Sequence, residues 1–144
     1  MQDFVVRKQV EIRSAIKNVW HALTDPELTQ QYFFGCRVDS NWIVGSPITF
    51  KRKILLIFPF ELKGTIIKMD RGKLLKYTLR NKDSKSESNV TIELYEEGGR
   101  TIVSVTDDVG DTDNDAEDRY ERSVKGWDKV LSGLKRVTES KLNS

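Results

Sequence analysis

The side chains best suited to nucleophilic or metal chemistry are scarce in this chain. It has one histidine, His21, and one cysteine, Cys36. A catalytic triad would have to be built around that single imidazole, and a zinc site needs three or four ligands. An adjacent guanidinium such as that of Arg37 can make a thiol reactive, but free cysteines are more often small buried hydrophobes. We therefore predict no catalytic residue, no metal site and no cofactor.

An acidic stretch before the last predicted helix offers a calcium alternative. Counting from Asp111, it supplies Asp-x-Asp-x-Asp, as the loop of an EF-hand does. Ala116 then stands where that loop needs glycine, and Arg122 stands where it needs a bidentate glutamate. Acids in the first turn of a helix also stabilise its positive end, with Asp113 or Asn114 as the cap. We favour this second interpretation.

An enzymatic role would need an acid or a base inside the fold. The candidates alternate with apolar residues along predicted strands or the last helix, and they are Glu61, Glu93, Asp107 and Arg119. We predict that all four point to water, so catalysis ranks last among the functions considered. A cavity holding two of them with shifted pKa values would reverse that ranking.

The first predicted elements are one strand and two short helices. Apolar and polar residues alternate from Phe4 to Ile12, which indicates a half-buried strand. Ser14 is the expected N-cap of a first helix. Asp25 is the expected cap of a second helix, with Pro26 in the first helical position.

The rest of the chain reads as a meander followed by one long helix. Strand-like stretches separated by turn signals occur at about 36–40, 47–53, 61–69, 73–80, 88–96 and 100–108. Short connections join antiparallel neighbours. An apolar stripe with helical spacing then predicts a helix of about 25 residues, along Tyr120, Val124, Trp127, Leu131, Leu134 and Val137. The fold class is therefore α+β, with the helix packed on the concave sheet. The inward face of strand 61–69 stays open, because its apolar residues satisfy both registers.

Composition narrows the location and the partners. A net charge of +2 gives no general attraction to nucleic acid, and residues 1–144 are expected to form one domain. The N-terminus lacks the apolar segment of a secretory signal, so we expect a cytoplasmic protein. The longest apolar run, 54–60, is too short to span a membrane.

That apolar run follows three consecutive cations, Lys51, Arg52 and Lys53. The segment has three open interpretations. It could be a lip that touches a membrane, a loop that folds over the opening of the sheet, or ordinary core. Membrane contact is the least favoured of the three.

Several segments in the same order resemble the activator of Hsp90 ATPase family, within the START-like or Bet v 1-like superfamily. They are Val19-Trp20-x-x-Leu23-Thr24-Asp25-Pro26-Glu27, Gly45-Ser46-Pro47-Ile48-Thr49-Phe50, Gly64-Thr65-Ile66, Leu75-x-Tyr77-Thr78, Val90-Thr91-Ile92-Glu93-Leu94 and Gly126-Trp127-x-x-Val130-Leu131-x-x-Leu134-Lys135. The resemblance implies the helix-grip fold, in which a seven-stranded antiparallel sheet grips the last helix around a cavity. It does not imply one activity, because the superfamily includes ligand carriers, cyclases, lipid-transfer domains and co-chaperones.

The leading functional expectation is non-enzymatic binding of a small hydrophobic or amphipathic ligand in that cavity. The residues expected to line it are Phe33, Phe34, Trp42, Phe50, Phe58, Phe60, Tyr77, Tyr120 and Trp127. The alternative for these aromatics is a packed core without a hollow, and Trp20 is assigned to core. Two other functions follow from the resemblance: a protein-interaction role with a chaperone partner of the Hsp90 type, and a cyclase or hydrolase. The oligomeric state stays open.

Overall fold

A computed structural model describes residues 4–54, 58–80, 87–110 and 115–141, with only the backbone described at 53, 54, 58–60 and 141. The elements follow one another as strand, two helices, six strands and a final helix. Their bounds are β1 Val5–Ile12, α1 Ile16–Thr24, α2 Pro26–Tyr32, β2 Arg37–Ser40, β3 Pro47–Ile54, β4 Phe58–Asp70, β5 Leu74–Arg80, β6 Glu87–Glu97, β7 Arg100–Asp108 and α3 Ala116–Lys141.

The strands form one antiparallel sheet in the order β1-β7-β6-β5-β4-β3-β2. Consecutive strands from β2 to β7 are neighbours, and β1 closes the row beside β7. The long helix α3 packs across this sheet, and α1 and α2 pack against α3. This arrangement is the predicted α+β helix-grip fold. None of the described helices is both long and apolar enough to cross a lipid bilayer.

The two short helices begin differently. Asp25 caps α2 as predicted, because its side chain accepts a hydrogen bond from the backbone N–H of Glu27 at 2.9 Å. The cap predicted at Ser14 is wrong, since α1 has Ala15 at its N-cap and no capping side chain. The Ser14 hydroxyl instead accepts from the side chain of Asn18, so it serves a side-chain contact and not the helix backbone.

An irregularity in β4 explains why the sequence left its inward face open. The register of β4 with β5 shifts between Ile66 and Lys68, as at a β-bulge. Ile66 is fully buried, Ile67 is 42% exposed, and Met69 packs on the core beyond the shift. An extra residue in one strand exchanges the two faces. The apolar pattern therefore fits one register before the bulge and the other register after it.

Candidate functional site

A cavity of about 570 Å³ lies between the sheet and α3. The sheet contributes residues from β3 to β7, the helix contributes one face of its first half, and the segment after α2 closes one side. Small-molecule sites in proteins have volumes of roughly 300–1,000 Å³. The hollow is therefore large enough to hold a small organic molecule.

One wall of the cavity is a cluster of aromatic rings that begins at the end of α2. Phe33 lies centrally in this cluster. Its ring centroid is 5.2 Å from that of Phe50 and 5.8 Å from that of Trp127, and the last pair is edge-to-face. Phe50 in turn lies 5.7 Å from Tyr77. Contacts of this geometry between aromatic rings are favourable beyond their burial, so this wall is a firm apolar surface.

The chain reversal after α2 holds this wall in place. Phe34 and Gly35 both have positive φ, at 55° and 75°, which turns the chain sharply from α2 into β2. A positive φ is unusual for a bulky residue. Arg52 donates a hydrogen bond from Nη1 to the carbonyl oxygen of Phe34 at 2.9 Å, which ties the turn to β3. The Phe34 ring, 46% exposed, lies at the cavity and 3.4 Å from the position of a Cβ at Gly126.

The nine aromatic residues expected at the cavity separate into three groups. Five line it, namely Phe33, Phe34, Phe50, Tyr77 and Trp127. Two lie elsewhere, namely Trp42 and Tyr120. Phe58 and Phe60 fall in a segment whose side chains lie outside the described residues. Whether any of these residues contacts a ligand stays a prediction.

The positions of Trp42 and Tyr120 have local reasons. Trp42, with a φ of 58°, borders a separate void of about 10 Å³ beside Leu23 and Ile48. Tyr120 lies two turns before Trp127 on α3, but its ring packs edge-to-face on Phe4, with 6.3 Å between centroids. Residues on one face of a long helix can thus meet different parts of the sheet.

The main correction to the sequence-based prediction concerns Asp107, which was expected to face water. It lies on β7 at the cavity wall and is 7% exposed. Its Oδ2 atom accepts two hydrogen bonds from α3, one from Trp127 Nε1 at 2.8 Å and one from the Ser123 hydroxyl at 2.7 Å. Its Oδ1 atom is buried and has no hydrogen-bond partner in the described structure. A carboxyl group at the cavity therefore keeps one oxygen unsatisfied.

The surroundings of Asp107 change its acidity. Burial raises the pKa of this carboxyl above its ordinary value, against the opposing effect of the hydrogen bonds from Ser123 and Trp127. Burial also raises the pKa of the Tyr77 hydroxyl well above its usual range, and the negative charge of Asp107 raises it further. Tyr77 therefore stays a neutral phenol beside a carboxyl group, which gives the cavity a polar inner surface next to its aromatic wall.

Three arginines give the cavity its cationic part. Arg52 comes from β3, and Arg119 and Arg122 come from the first turns of α3. The Arg119 guanidinium donates to the carbonyl oxygens of Val109 and Gly110, which fastens the start of α3 to the end of β7. The prediction that Arg119 points to water is therefore wrong as well.

The other residues considered for chemistry have ordinary structural surroundings. Cys36 is 3% exposed, and burial raises the pKa of its thiol while the charge of Arg52 opposes that shift. This agrees with the predicted buried hydrophobe, although the residue also lines the cavity. His21 lies on the exposed surface of α1, with Nε2 at 3.4 Å from Oδ2 of Asp25. Glu61 lies 3.3 Å from the Lys63 ammonium, outside the cavity lining.

Some predictions concern residues that the structure does not describe. The helix cap expected at Asp113 or Asn114 and the start of the calcium-like loop lie outside the described residues, as do residues 55–57 and the side chains of the whole apolar segment 54–60. Over the described part of the chain, no three His, Cys, Asp or Glu side chains come together as a metal site would require.

A sheet that grips a C-terminal helix, with a cavity between the two, defines this chain as a helix-grip protein. Residues 13–139 match the family described as activator of Hsp90 ATPase homolog 1-like protein. The chain belongs to this family, and hence to the START-like or Bet v 1-like group that its sequence resembles. No match is found among curated protein sequences.

Solved structures with the same fold come from varied sources. The solution structure of a protein from Cytophaga hutchinsonii is 29% identical, with a TM-score of 0.75 and 97% of each chain covered. A crystal structure from Chromobacterium violaceum is 17% identical, with a TM-score of 0.77 over 95% of this chain and 98% of that one. DynU16, a protein in the dynemicin biosynthetic locus, is also 17% identical, with a TM-score of 0.78. The alignment covers 96% of this chain and 48% of DynU16.

Proposed function

We propose that this protein binds a small amphipathic molecule in the cavity between the sheet and α3. The observation that carries the proposal is the combination of a 570 Å³ hollow, an aromatic wall and a buried carboxyl group with an unsatisfied oxygen. A core evolved only for stability is expected to fill such a hollow, because interiors pack as densely as organic crystals. It is also expected to satisfy nearly all of its buried polar atoms.

The binding would work by burying apolar surface and satisfying a few polar groups. Each Å² of apolar surface removed from water contributes about 25 cal/mol before the costs of association. The ring faces of Phe33, Phe50 and Trp127 supply that surface. The carboxyl group of Asp107 and the guanidinium groups at the cavity would fix the orientation of the ligand, because directional contacts add specificity to non-directional burial.

Native mass spectrometry of the freshly purified protein, compared with its denatured mass, is the first test. Excess mass that is lost on denaturation identifies a carried ligand. A second test adds the fluorescent probe 1-anilinonaphthalene-8-sulfonate to the wild type and to two variants. Leu79→Trp places a bulky indole ring in the cavity, whereas Ile67→Trp makes a similar change at an exposed position of the neighbouring strand β4. We expect probe binding to fall at least tenfold in the first variant only. Equal binding by all three proteins would contradict the proposal.

An enzymatic role is the second candidate, and Asp107 is the observation that favours it. A carboxyl group with a raised pKa inside a cavity is a common form of general acid or base. Binding nevertheless stays the leading function, because Arg119, the other suggested residue at the cavity, donates to the backbone carbonyl oxygens of Val109 and Gly110, and a guanidinium does not act as an acid or a base. Chromatography of the bound molecule before and after prolonged incubation separates the two functions. A binding protein returns the molecule unchanged, and an enzyme converts it.

A protein-interaction role with a chaperone partner stays a prediction, as does the cytoplasmic location. The chaperone role would be favoured by an exposed apolar patch beside Lys51 in a protein without a cavity. Ile43 and Val44, which are 64% and 58% exposed, are the most exposed large apolar side chains of the described part. A pull-down from cell extract tests this role if the mass spectrum shows bare protein.

A further inference from the structure

Two cationic side chains meet at the open end of the cavity. Arg122 lines the hollow from α3, and its side chain is 68% exposed, so a ligand can reach its guanidinium. Gly126 lies one turn further along the helix, where the edge of the Phe34 ring is 3.4 Å from the Cβ position. Arg52 in turn donates to the carbonyl oxygen of Phe34. Phe34 thus links the two arginines, and these three residues define the mouth of the cavity.

The contacts of Arg122 leave it able to bind an anion. Its Nη2 atom lies 3.3 Å from Oδ2 of Asp118, and both side chains are mostly exposed. Surface ion pairs of this kind are worth little, and this one engages a single nitrogen of a planar group with several N–H donors. The charge of Arg52 acts at the cavity wall as well, because it opposes the rise that burial causes in the pKa of the Cys36 thiol. Both arginines therefore contribute positive charge where a ligand would enter.

The acidic side chains at the cavity do not cancel this charge. Of the described residues that line the hollow, three are arginines and two are aspartates. Asp107 is 7% exposed, and burial raises the pKa of its carboxyl group, which disfavours the negative form. Asp115 lies one turn before Arg119, whose backbone N–H donates to the Asp115 carbonyl oxygen at 2.9 Å. The positive excess therefore lies with Arg52 and Arg122, at the mouth.

We propose that the ligand of this cavity is an amphipathic acid, whose carboxylate lies at the mouth against Arg122 and Arg52 while its apolar body lies against the aromatic wall. A guanidinium presents parallel N–H donors that match the two oxygens of a carboxylate. A carboxylate at the open end also keeps part of its hydration, so it avoids the cost of burying a charge completely. This inference rests on the proposed function, since it names the class of ligand held in the same cavity.

The test compares 2-naphthoate with 2-naphthamide by isothermal titration calorimetry at neutral pH. The two molecules have the same fused rings and a planar end group of nearly the same size, but only the first is charged. We expect the wild type to bind 2-naphthoate about tenfold more tightly, because hydrogen bonds between charged groups are the stronger ones. This preference should shrink to about twofold between about 0.01 M and about 1 M salt, since the Debye length falls from about 30 Å to about 3 Å. The cation 2-naphthylmethylammonium should bind more weakly than the amide.

Two matched variants on α3 locate the carboxylate. Arg122→Gln removes the exposed guanidinium at the mouth and keeps a side chain that can donate a hydrogen bond. Arg136→Gln makes the same change of charge at an exposed position about four turns further along the helix, outside the cavity lining. We expect the preference for 2-naphthoate to fall to about threefold in the first variant, because an exposed ion pair is worth a few-fold in affinity. The second variant should keep the full preference, and the affinity for 2-naphthamide should change little in either.

The outcomes separate this inference from the proposed function. Equal wild-type affinities for 2-naphthoate and 2-naphthamide, or tighter binding of the cation, would overturn the selection of acids and leave ligand binding intact. If neither naphthalene nor the anilinonaphthalene probe bound, the proposed function and this inference would both fail. An unchanged preference in Arg122→Gln, or an equal fall in both variants, would contradict the place assigned to the carboxylate. The wild-type comparison decides the preference even if Arg122→Gln does not fold.

Discussion

Two glycines of α3 should respond in opposite ways to the same substitution. Glycine inside a helix is less stable than alanine by about 1 kcal/mol, so each change to alanine starts from the same expected gain. A Cβ at Gly126 would lie 3.4 Å from the edge of the Phe34 ring, which is an ordinary contact. Gly126→Ala should therefore raise the free energy of unfolding by up to about 1 kcal/mol.

Gly133 lies where Tyr32 of α2 comes close to the backbone of α3. A Cβ there would be 2.5 Å from the Cβ of Tyr32 and 3.3 Å from its Cα. Carbon atoms pack best at about 3.5–4.0 Å, so the two helices would have to separate by roughly 1 Å. Tyr32 cannot easily move, because it is 6% exposed and its hydroxyl donates to the carbonyl oxygen of Ala22 at 2.7 Å.

The expected magnitude for Gly133→Ala follows from these two effects. Overpacking a well-filled interior costs about 1–3 kcal/mol, and a contact with the base of a fixed side chain belongs at the upper end. After subtracting the helical gain of about 1 kcal/mol, the net loss should be near 2 kcal/mol. For a domain of this size that corresponds to a fall in Tm of roughly 4–8 °C.

Urea denaturation of the two variants beside the wild type measures the difference, which should be about 3 kcal/mol between them. Unchanged m values would show that the folded and unfolded states expose similar surfaces in all three proteins. If Gly133→Ala proved as stable as Gly126→Ala, the close approach of α2 to α3 would be wrong. The position of the Phe33 wall, which continues directly from α2, would then be wrong as well.

Three further predictions concern the sheet and the cavity. The pKa of Asp107 is raised on folding, so the folded state binds more protons than the unfolded state at pH values between the ordinary and the raised pKa of this carboxyl. The free energy of unfolding should therefore fall as pH rises through this window. Asp107→Asn should lack that component when thermal unfolding is followed across the acidic range, and an identical profile would contradict the burial of this carboxyl. Trp127→Ala should lower the free energy of unfolding by about 3 kcal/mol, which is the low end for a buried tryptophan because a cavity already lies on one side of the ring. The same variant should lose binding of the anilinonaphthalene probe, and unchanged binding would count against a contact between Trp127 and the ligand. Gly64→Ala should prevent folding, because a Cβ there would lie 1.7 Å from the carbonyl oxygen of Thr78. Circular dichroism of the expressed variant tests this, and a well-folded protein would refute the close pairing of β4 and β5.

The fold was largely predictable because each of its elements has a strong local signal. The six strands after the first helices agree with their predicted ranges to within a few residues, and the long helix follows its apolar stripe over 26 residues. The cap at Asp25 was predictable because a polar cap followed by proline is a local signal. Alternation alone could not orient β4, because the bulge after Ile66 changes which residues face inward and has no apolar signature of its own.

The cavity was harder to predict, because its shape depends on where elements distant in sequence meet. Nothing local distinguishes Tyr120, which packs on Phe4 just before β1, from Trp127, which lies at the cavity. Arg52 shows the same limit, since the run of three cations left its segment open between a membrane-touching lip, a loop over the opening of the sheet and ordinary core. It reaches instead to the carbonyl oxygen of Phe34 and contributes to the cavity wall.

Asp107 is different, because the signal that locates it was present in the sequence. Along β7 the residues Thr101, Val103, Val105 and Asp107 share one face, and all four are buried. Strict alternation therefore predicts an inward carboxyl group at the end of an inward apolar row. The prediction failed because the usual exposure of aspartate was given more weight than the period of the strand. Where an ionisable residue continues an inward row at the end of a strand, the period is the better guide. Such an inward ionisable residue is then the place to look for a ligand.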